Sequence, residues 1–243
     1  VETVTTSVIV PWRGGDPVRE RLWAWNKARW QSTGYEIVEC DDGSEPFTRG
    51  RSINRGVEEA TGDRLILADT DTALSSLDRL ENLSDYDLVK ADRRGMAWYI
   101  LYDHHRYCAL TDETTDWVLR LPPSTPFPAT VVDTLECRDR ITSHSGLLML
   151  SREAFDTVGG YDPGFCGWGY EDDAFWHALV TLVGSERRLK RSALHLYHPH
   201  IESERFDQPF IGLNRSISDS YAHLSGNVVE MTDFVRLRRE IHV

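Results

Sequence analysis

A chain of 243 residues with a formal net charge of −12 is too acidic for nucleic acid to be its main partner, because neutralising phosphates takes clustered Lys and Arg. Its 40% hydrophobic and 27% charged residues describe a globular protein long enough to bury a sizeable core, as one large domain or a core with a modest appendage. No apolar run reaches the roughly 18 residues of a membrane span, and Val1 to Val10 lacks the basic start of a signal peptide, so a soluble, cytoplasmic protein is expected.

Thr5 to Val10 is apolar and β-branched and stops at Pro11, which predicts a buried strand followed by the loop Trp12 to Asp16. Val18 to Gln31 is predicted as a helix, with Leu22, Trp25, Ala28 and Arg29 at compatible spacing. Tyr35 to Cys40 reads as a second strand closed by the turn Asp41-Asp42-Gly43-Ser44. Arg51 to Ala60 reads as a helix, and Arg64 to Ala68 as a third strand ending in Asp69-Thr70-Asp71. Strand and helix alternate, which predicts an α/β protein with a parallel sheet and a ligand beyond the strands' carboxyl ends. Leu77 to Leu83 reads as a helix, and Asp87 to Ala91 and Trp98 to Leu101 as strands, but residues 93–140 otherwise give little pattern. The proline-rich run from Leu121 to Pro128 is a loop, because proline cannot donate to a sheet ladder.

Ser145 to Leu150 is a predicted strand, and Arg152 to Val158 a short helix capped by Ser151. Asp172 to Val183 is a helix with Phe175, Leu179 and Leu182 on one face. Leu194 to Tyr197 is a short strand leading into His198-Pro199-His200. Residues 201–243 read as a polar tail ending in a basic helix, Phe234 to Ile241, with a solvated face or an oligomer contact. Cys40, Cys108, Cys137 and Cys166 lack CxxC spacing and read as reduced packing cysteines.

Three groups carry chemistry. Asp69 and Asp71 flank Thr70, so in an extended segment both carboxylates face one way and suit Mg²⁺ or Mn²⁺ on a diphosphate. His195, His198 and His200 fall within six residues, and imidazole binds Mn²⁺; His198 is favoured as a ligand, His195 follows, and His200 is expected in solvent. Glu171-Asp172-Asp173 follows the flexible segment Gly167-Trp168-Gly169-Tyr170. Acids at a helix start favour the dipole, but one of three after a mobile aromatic can accept a proton from an attacking hydroxyl. Together they suggest metal-assisted transfer from an anionic donor to a hydroxyl.

In this order the motifs resemble those of metal-dependent GT-A glycosyltransferases, particularly the inverting galactosyltransferase-like group. The carrying residues are Ser7 to Pro11, Asp41 to Ser44, Asp69 to Asp71, Gly159-Gly160-Tyr161, Gly167 to Asp173, and His195 with His198. The resemblance implies a single GT-A domain over 1–200, with a Rossmann-like nucleotide-sugar half (1–92), an acceptor half (93–200), a mixed central sheet, and a C-terminal extension (201–243). It implies Asp71 as chief metal ligand with Asp69, His198 and His195, and Mn²⁺ or Mg²⁺ as the ion. The donor, a nucleotide sugar and first of all a UDP-sugar, would meet Pro11, Arg13, Asp41, Asp42, Arg51, Asp69, Thr70, Gly146 and Trp168. The acceptor (a glycan, lipid-linked sugar or protein side chain) would meet Trp168, Glu171 and Asp173, with Asp172 as base.

The implied reaction moves a hexose or N-acetylhexosamine with inversion; the retaining polypeptide GalNAc-transferases carry Glu-Asn where this chain has Glu171-Asp172. Tyr170 stands where the vertebrate galactosyltransferases have glycine, and His195 lies near their methionine ligand, departures that fit a bacterial or phage-type enzyme. Two other readings compete: a nucleotidyltransferase on the same fold, and a non-catalytic carbohydrate-binding domain.

Overall fold

The computed structural model describes residues 4–78, 80, 98–141, 143–199 and 209–241. The chain begins with β1 (Thr6–Pro11), α1 (Pro17–Gln31), β2 (Glu36–Cys40), α2 (Arg49–Glu59) and β3 (Arg64–Ala68). β1 pairs in parallel with both β2 and β3, so the crossovers leave β1 on opposite sides and open a crevice beyond its carboxyl end. α1 starts where the sequence dictates: Asp16 Oδ1 accepts hydrogen bonds from the Val18 and Arg19 amides at 2.9 and 3.3 Å, with Pro17 next in line.

The second half departs from a parallel α/β plan. It runs β4 (Thr72–Leu74), β5 (Trp98–Ile100), β6 (Tyr107–Leu110), α3 (Asp112–Leu119), α4 (Ala129–Val132), β7 (Cys137–Ile141), β8 (Leu147–Ser151) and α5 (Arg152–Thr157). It continues with α6 (Glu171–Leu182), β9 (Arg187–Arg188), β10 (Ala193–His195), α7 (Ile211–Leu224) and α8 (Val228–Ile241). β8 lies antiparallel to β3, and the main sheet has the order β2-β1-β3-β8-β5-β9. A second sheet has the order β4-β10-β6-β7. The central sheet is therefore mixed. Val8 to Val10, Leu65 to Ala68 and Leu147 to Leu150 are buried on successive positions, as expected of strands covered on both faces.

A smaller apolar cluster supports the second sheet, where Leu22 and Trp25 of α1 meet Cys108, Leu110, Val118, Phe127 and Leu194. Buried Arg29 fixes the proline-rich loop by donating to the carbonyls of Pro123 and Thr125 and to that of Leu74, at 2.7, 2.9 and 2.8 Å. Burial lowers its pKa to about 10.

Three expectations change. Cys108 and Cys137 form a disulfide with Cα atoms 5.8 Å apart, while Cys40 and Cys166 are free, so the four cysteines are not all reduced packing residues. The pair is possible because β6 and β7 are antiparallel neighbours, a relation that spacing along the chain does not reveal. Residues 211–241 are two helices rather than a polar tail, and Ile217, Tyr221, Met231 and Val235 are buried in the main core. The poorly patterned middle contains β6, α3, α4 and β7. The strand read over Asp87 to Ala91 lies outside the described residues, as does most of the helix read over Leu77 to Leu83. Among the described residues no helix is long and apolar enough to cross a membrane.

Candidate active site

The ends of β3 and β10, strands of different sheets, bring together residues that could hold a metal ion. β3 ends at Ala68 and delivers Asp69 and Asp71 to its carboxyl end. β10 pairs antiparallel with β4 in a register that sets His195 opposite Thr72, and the Leu196 amide donates to the Asp71 carbonyl at 2.8 Å. The side chains follow: Asp71 Oδ2 lies 3.2 Å from His198 Nε2, and Asp71 Oδ1 lies 3.6 Å from His195 Nε2. One ligand atom from each of Asp71, His195 and His198 falls within 4.8 Å of the others.

The electrostatics suit a divalent ion. Burial alone would raise the Asp71 carboxyl, but His195, His198 and Arg19 outweigh it and hold the group well below the usual carboxylate range. Burial lowers the His195 pKa, and Asp71 opposes that shift in part. His198 Nδ1 sits 3.3 Å from the Pro199 carbonyl; a proton there leaves Nε2 as the ligating atom. One carboxylate and two imidazoles are a donor set that Mn²⁺ accepts.

Arg49 joins this half to the acidic segment. It stands at the first position of α2, and its Nε donates to Asp69 Oδ1 at 2.8 Å while Nη1 donates to Asp172 Oδ1 at 2.6 Å. Burial opposes its charge, but Asp172 and Asp69 outweigh burial and keep the guanidinium protonated. Asp69 has a raised pKa, from burial first, offset in part by Arg49. The Tyr161 hydroxyl also donates to Asp172 Oδ1, at 3.0 Å, and its ring stacks on Phe175 with centroids 4.2 Å apart.

Two cavities meet here. The larger, about 530 Å³, is lined by Pro11, Arg19, Arg49, Asp69, Thr70, Asp71, Trp168, Glu171, Asp172, His195 and His198, among others. The smaller, about 340 Å³, is lined by His144, Trp168, Glu171, Asp172 and Asp173, among others. Asp172 and Trp168 border both, so a group entering from either side reaches the same carboxylate. Glu171 lies beneath, accepting from the Gly169 amide at 2.9 Å, and burial together with Asp172 pushes its pKa up to about 7.

Of the remaining expected residues, Arg13, Asp41, Asp42 and Arg51 line neither cavity, while Gly146 lies against Asp69. Arg13 and Asp41 pair with each other at 2.6 Å, and Asp42 accepts from Ser44 Oγ at 2.8 Å and Ser52 Oγ at 3.3 Å. Arg51 donates to the Pro163 carbonyl and does not line either cavity. Gly146, at a φ of +86°, accepts from the Asp69 amide, and a Cβ there would lie 3.5 Å from Asp69 Oδ2. His200 is outside the described residues. Sequence reading missed Arg49 and Arg19, and singled out Tyr161 only within the motif Gly159-Gly160-Tyr161, without a contact to Asp172. The predicted helix began at Arg51, two residues late, so the sequence did not show Arg49 as a cation in a first helical turn, where it opposes the helix dipole.

Residues 128–200 match the family model described as the N-terminal domain of galactosyltransferase, a segment that contains Gly146, Trp168, Glu171, Asp172, Asp173, His195 and His198. No curated protein sequence matches the chain. The fold is similar to that of a mutant Drosophila β1,4-galactosyltransferase 7 solved with manganese, UDP-Gal and xylobiose, at a TM-score of 0.52 and 16% identity, covering 88% of this chain and 79% of that one. The catalytic domain of the same Drosophila enzyme with xylobiose is similar at a TM-score of 0.50 and 16% identity, covering 89% and 79%. The chain thus has the fold of the GT-A glycosyltransferases, and its segment 128–200 matches the galactosyltransferase model.

Proposed function

We propose that this protein is a metal-dependent glycosyltransferase that moves a hexose or N-acetylhexosamine from a nucleotide sugar to an acceptor hydroxyl, with inversion. One observation carries the reading: the Asp71–His195–His198 set and Asp172 line one cleft, with Arg49 between Asp69 and Asp172. A metal-ligand set alone fits many functions, and a buried acid alone fits a helix start. Side by side, they fit a donor diphosphate held next to a base.

Mn²⁺ at Asp71, His195 and His198, with Asp69 assisting, would neutralise charge growing on the leaving nucleoside diphosphate. Pro11, Arg13, Asp41, Asp42 and Thr70 are assigned to the nucleotide side, with UDP as the first choice of donor. Asp172 accepts the acceptor's hydroxyl proton while that oxygen bonds to the anomeric carbon and the bond to the diphosphate breaks. Its Oδ1 already accepts from Arg49 and Tyr161, so the proton is assigned to Oδ2. Arg49 and Tyr161 fix the carboxylate's orientation, which orients that lone pair. Trp168 and Asp173 border the acceptor side, where an aromatic face and a carboxylate suit a sugar ring and its hydroxyls.

The competing readings fit less well. A nucleotidyltransferase needs a cationic, glycine-rich loop on the phosphates after β1, whereas that loop is only Trp12-Arg13-Gly14-Gly15, and the segment Gly167 to Asp173 would be left without a role. A binding module has no use for a carboxylate held by Arg49 and Tyr161 at the junction of two cavities. Asp172→Asn tests the assignment. UDP release from UDP-galactose with Mn²⁺ should fall by about 10²–10⁴-fold while UDP affinity stays unchanged. Retention of most activity would reject Asp172 as the base.

A further inference from the structure

The segment that carries Trp168 is held from the C-terminal side by side chains that line neither cavity. Asn214 of α7 is fully buried, at 0% exposure. The three hydrogen bonds of its side chain go to the backbone of that segment. Its Nδ2 donates to the carbonyls of Cys166 and Trp168 at 2.9 and 3.3 Å, and its Oδ1 accepts from the Cys166 amide at 3.2 Å. A carboxamide is the side chain that can both donate to and accept from one peptide strand. At this depth an aliphatic residue would pack at lower cost, so an asparagine is explained by what it binds.

Two further ties run the same way. Arg238 of α8 donates to both oxygens of buried Asp162, at 2.7 and 3.1 Å, and the Tyr221 hydroxyl donates to Asp162 Oδ2 at 3.1 Å. Asp162 in turn accepts from the Gly164 amide at 2.7 Å. Ile211 closes against Gly169, where a Cβ would come within 2.9 Å of its Cδ1. On the opposite side Thr48 Oγ1 accepts from the Gly167 amide at 3.3 Å. The loop from Asp162 to Gly169 is thus clamped between the start of α2 and the two C-terminal helices.

We infer that Asn214 is a positioning residue for transfer: through the Cys166 and Trp168 backbone it sets where the Trp168 ring stands over the junction of the two cavities. The inference rests on the glycosyltransferase reading and gives residues 211–241 a part in it. Asn214→Asp tests it with little change of shape, because a carboxylate cannot donate the two bonds. Asn214→Ser is the second variant, smaller and uncharged.

Three readouts are taken on the full chain: amide hydrogen exchange over 164–170, UDP affinity with Mn²⁺, and UDP release from UDP-galactose at saturation. Exchange over 164–170 should accelerate about tenfold or more, with exchange in β1 and β3 unchanged. UDP affinity should stay within about twofold, while turnover falls about fivefold or more. Unchanged loop exchange, unchanged turnover, or loss of UDP affinity in step with turnover would each overturn the inference. If the wild-type chain fails to bind UDP with Mn²⁺, the glycosyltransferase reading falls and takes the catalytic part of the inference with it. The exchange arm still decides whether Asn214 holds the loop.

Discussion

Arg49 is the residue on which the site's charges balance. It neutralises Asp69 and Asp172 at once, and both contacts are largely out of water. Arg49→Ala would leave two carboxylates without their cation, and a cost of about 3–5 kcal/mol in unfolding free energy is expected, read by urea denaturation. Glu171 gives a pH dependence of definite sign. Its pKa of about 7 lies above the ordinary 4.5, so the folded chain keeps a proton that the unfolded chain has released. That contribution is complete below the ordinary value and is lost as pH rises through about 7.

Wild-type protein should therefore lose more stability between about pH 5 and about pH 8 than Glu171→Gln. The comparison removes His177, whose pKa is lowered by burial and which acts in the opposite sense in both proteins. At this scale the sequence was informative where chemistry is concentrated. Asp71, His195, His198 and Asp172 stand out by type and spacing. Arg49 did not, because its role depends on two partners 20 and 123 positions away.

At the scale of elements, legibility followed length and pattern. β1, β3, α1 and α5 have apolar runs or caps that define them locally, and Ser151 caps α5 by accepting from the Ala154 amide as expected. β6 and β7 are short, and their register shifts between Ala109 and Leu110, so no alternation survives to be read. The disulfide between Cys108 and Cys137 joins these two strands next to the cleft wall that Ala109, Arg138 and Asp139 supply. Its place in the fold predicts two titratable thiols per unfolded, unreduced chain and four after reduction. Reduction should lower stability by about 2–4 kcal/mol, measured by denaturation with and without reductant. Four thiols before reduction would show that the strands are not linked. α7 and α8 were hard to read because their buried positions are interleaved with exposed Leu213, Val228, Val229, Leu237 and Ile241, which blurs the apolar face.

For the whole molecule, the proposed function asks an acidic chain to bind an anionic donor. The net charge of −12 is unfavourable at long range, so affinity has to come from local positive groups. Arg19, whose Nη1 lies 3.9 Å from Asp71 Oδ2, and Arg49 stand in the cleft, but both face carboxylates. On the proposed reading, a divalent ion at Asp71, His195 and His198 would supply the missing charge. Donor binding should therefore depend on the metal.

Calorimetric titration of UDP, with and without Mn²⁺, on wild-type protein and Asp71→Ala is the direct measurement. Binding that needs Mn²⁺ and weakens by at least about tenfold in Asp71→Ala is the expected result. UDP binding equally well without the metal, or undiminished in Asp71→Ala, would contradict it.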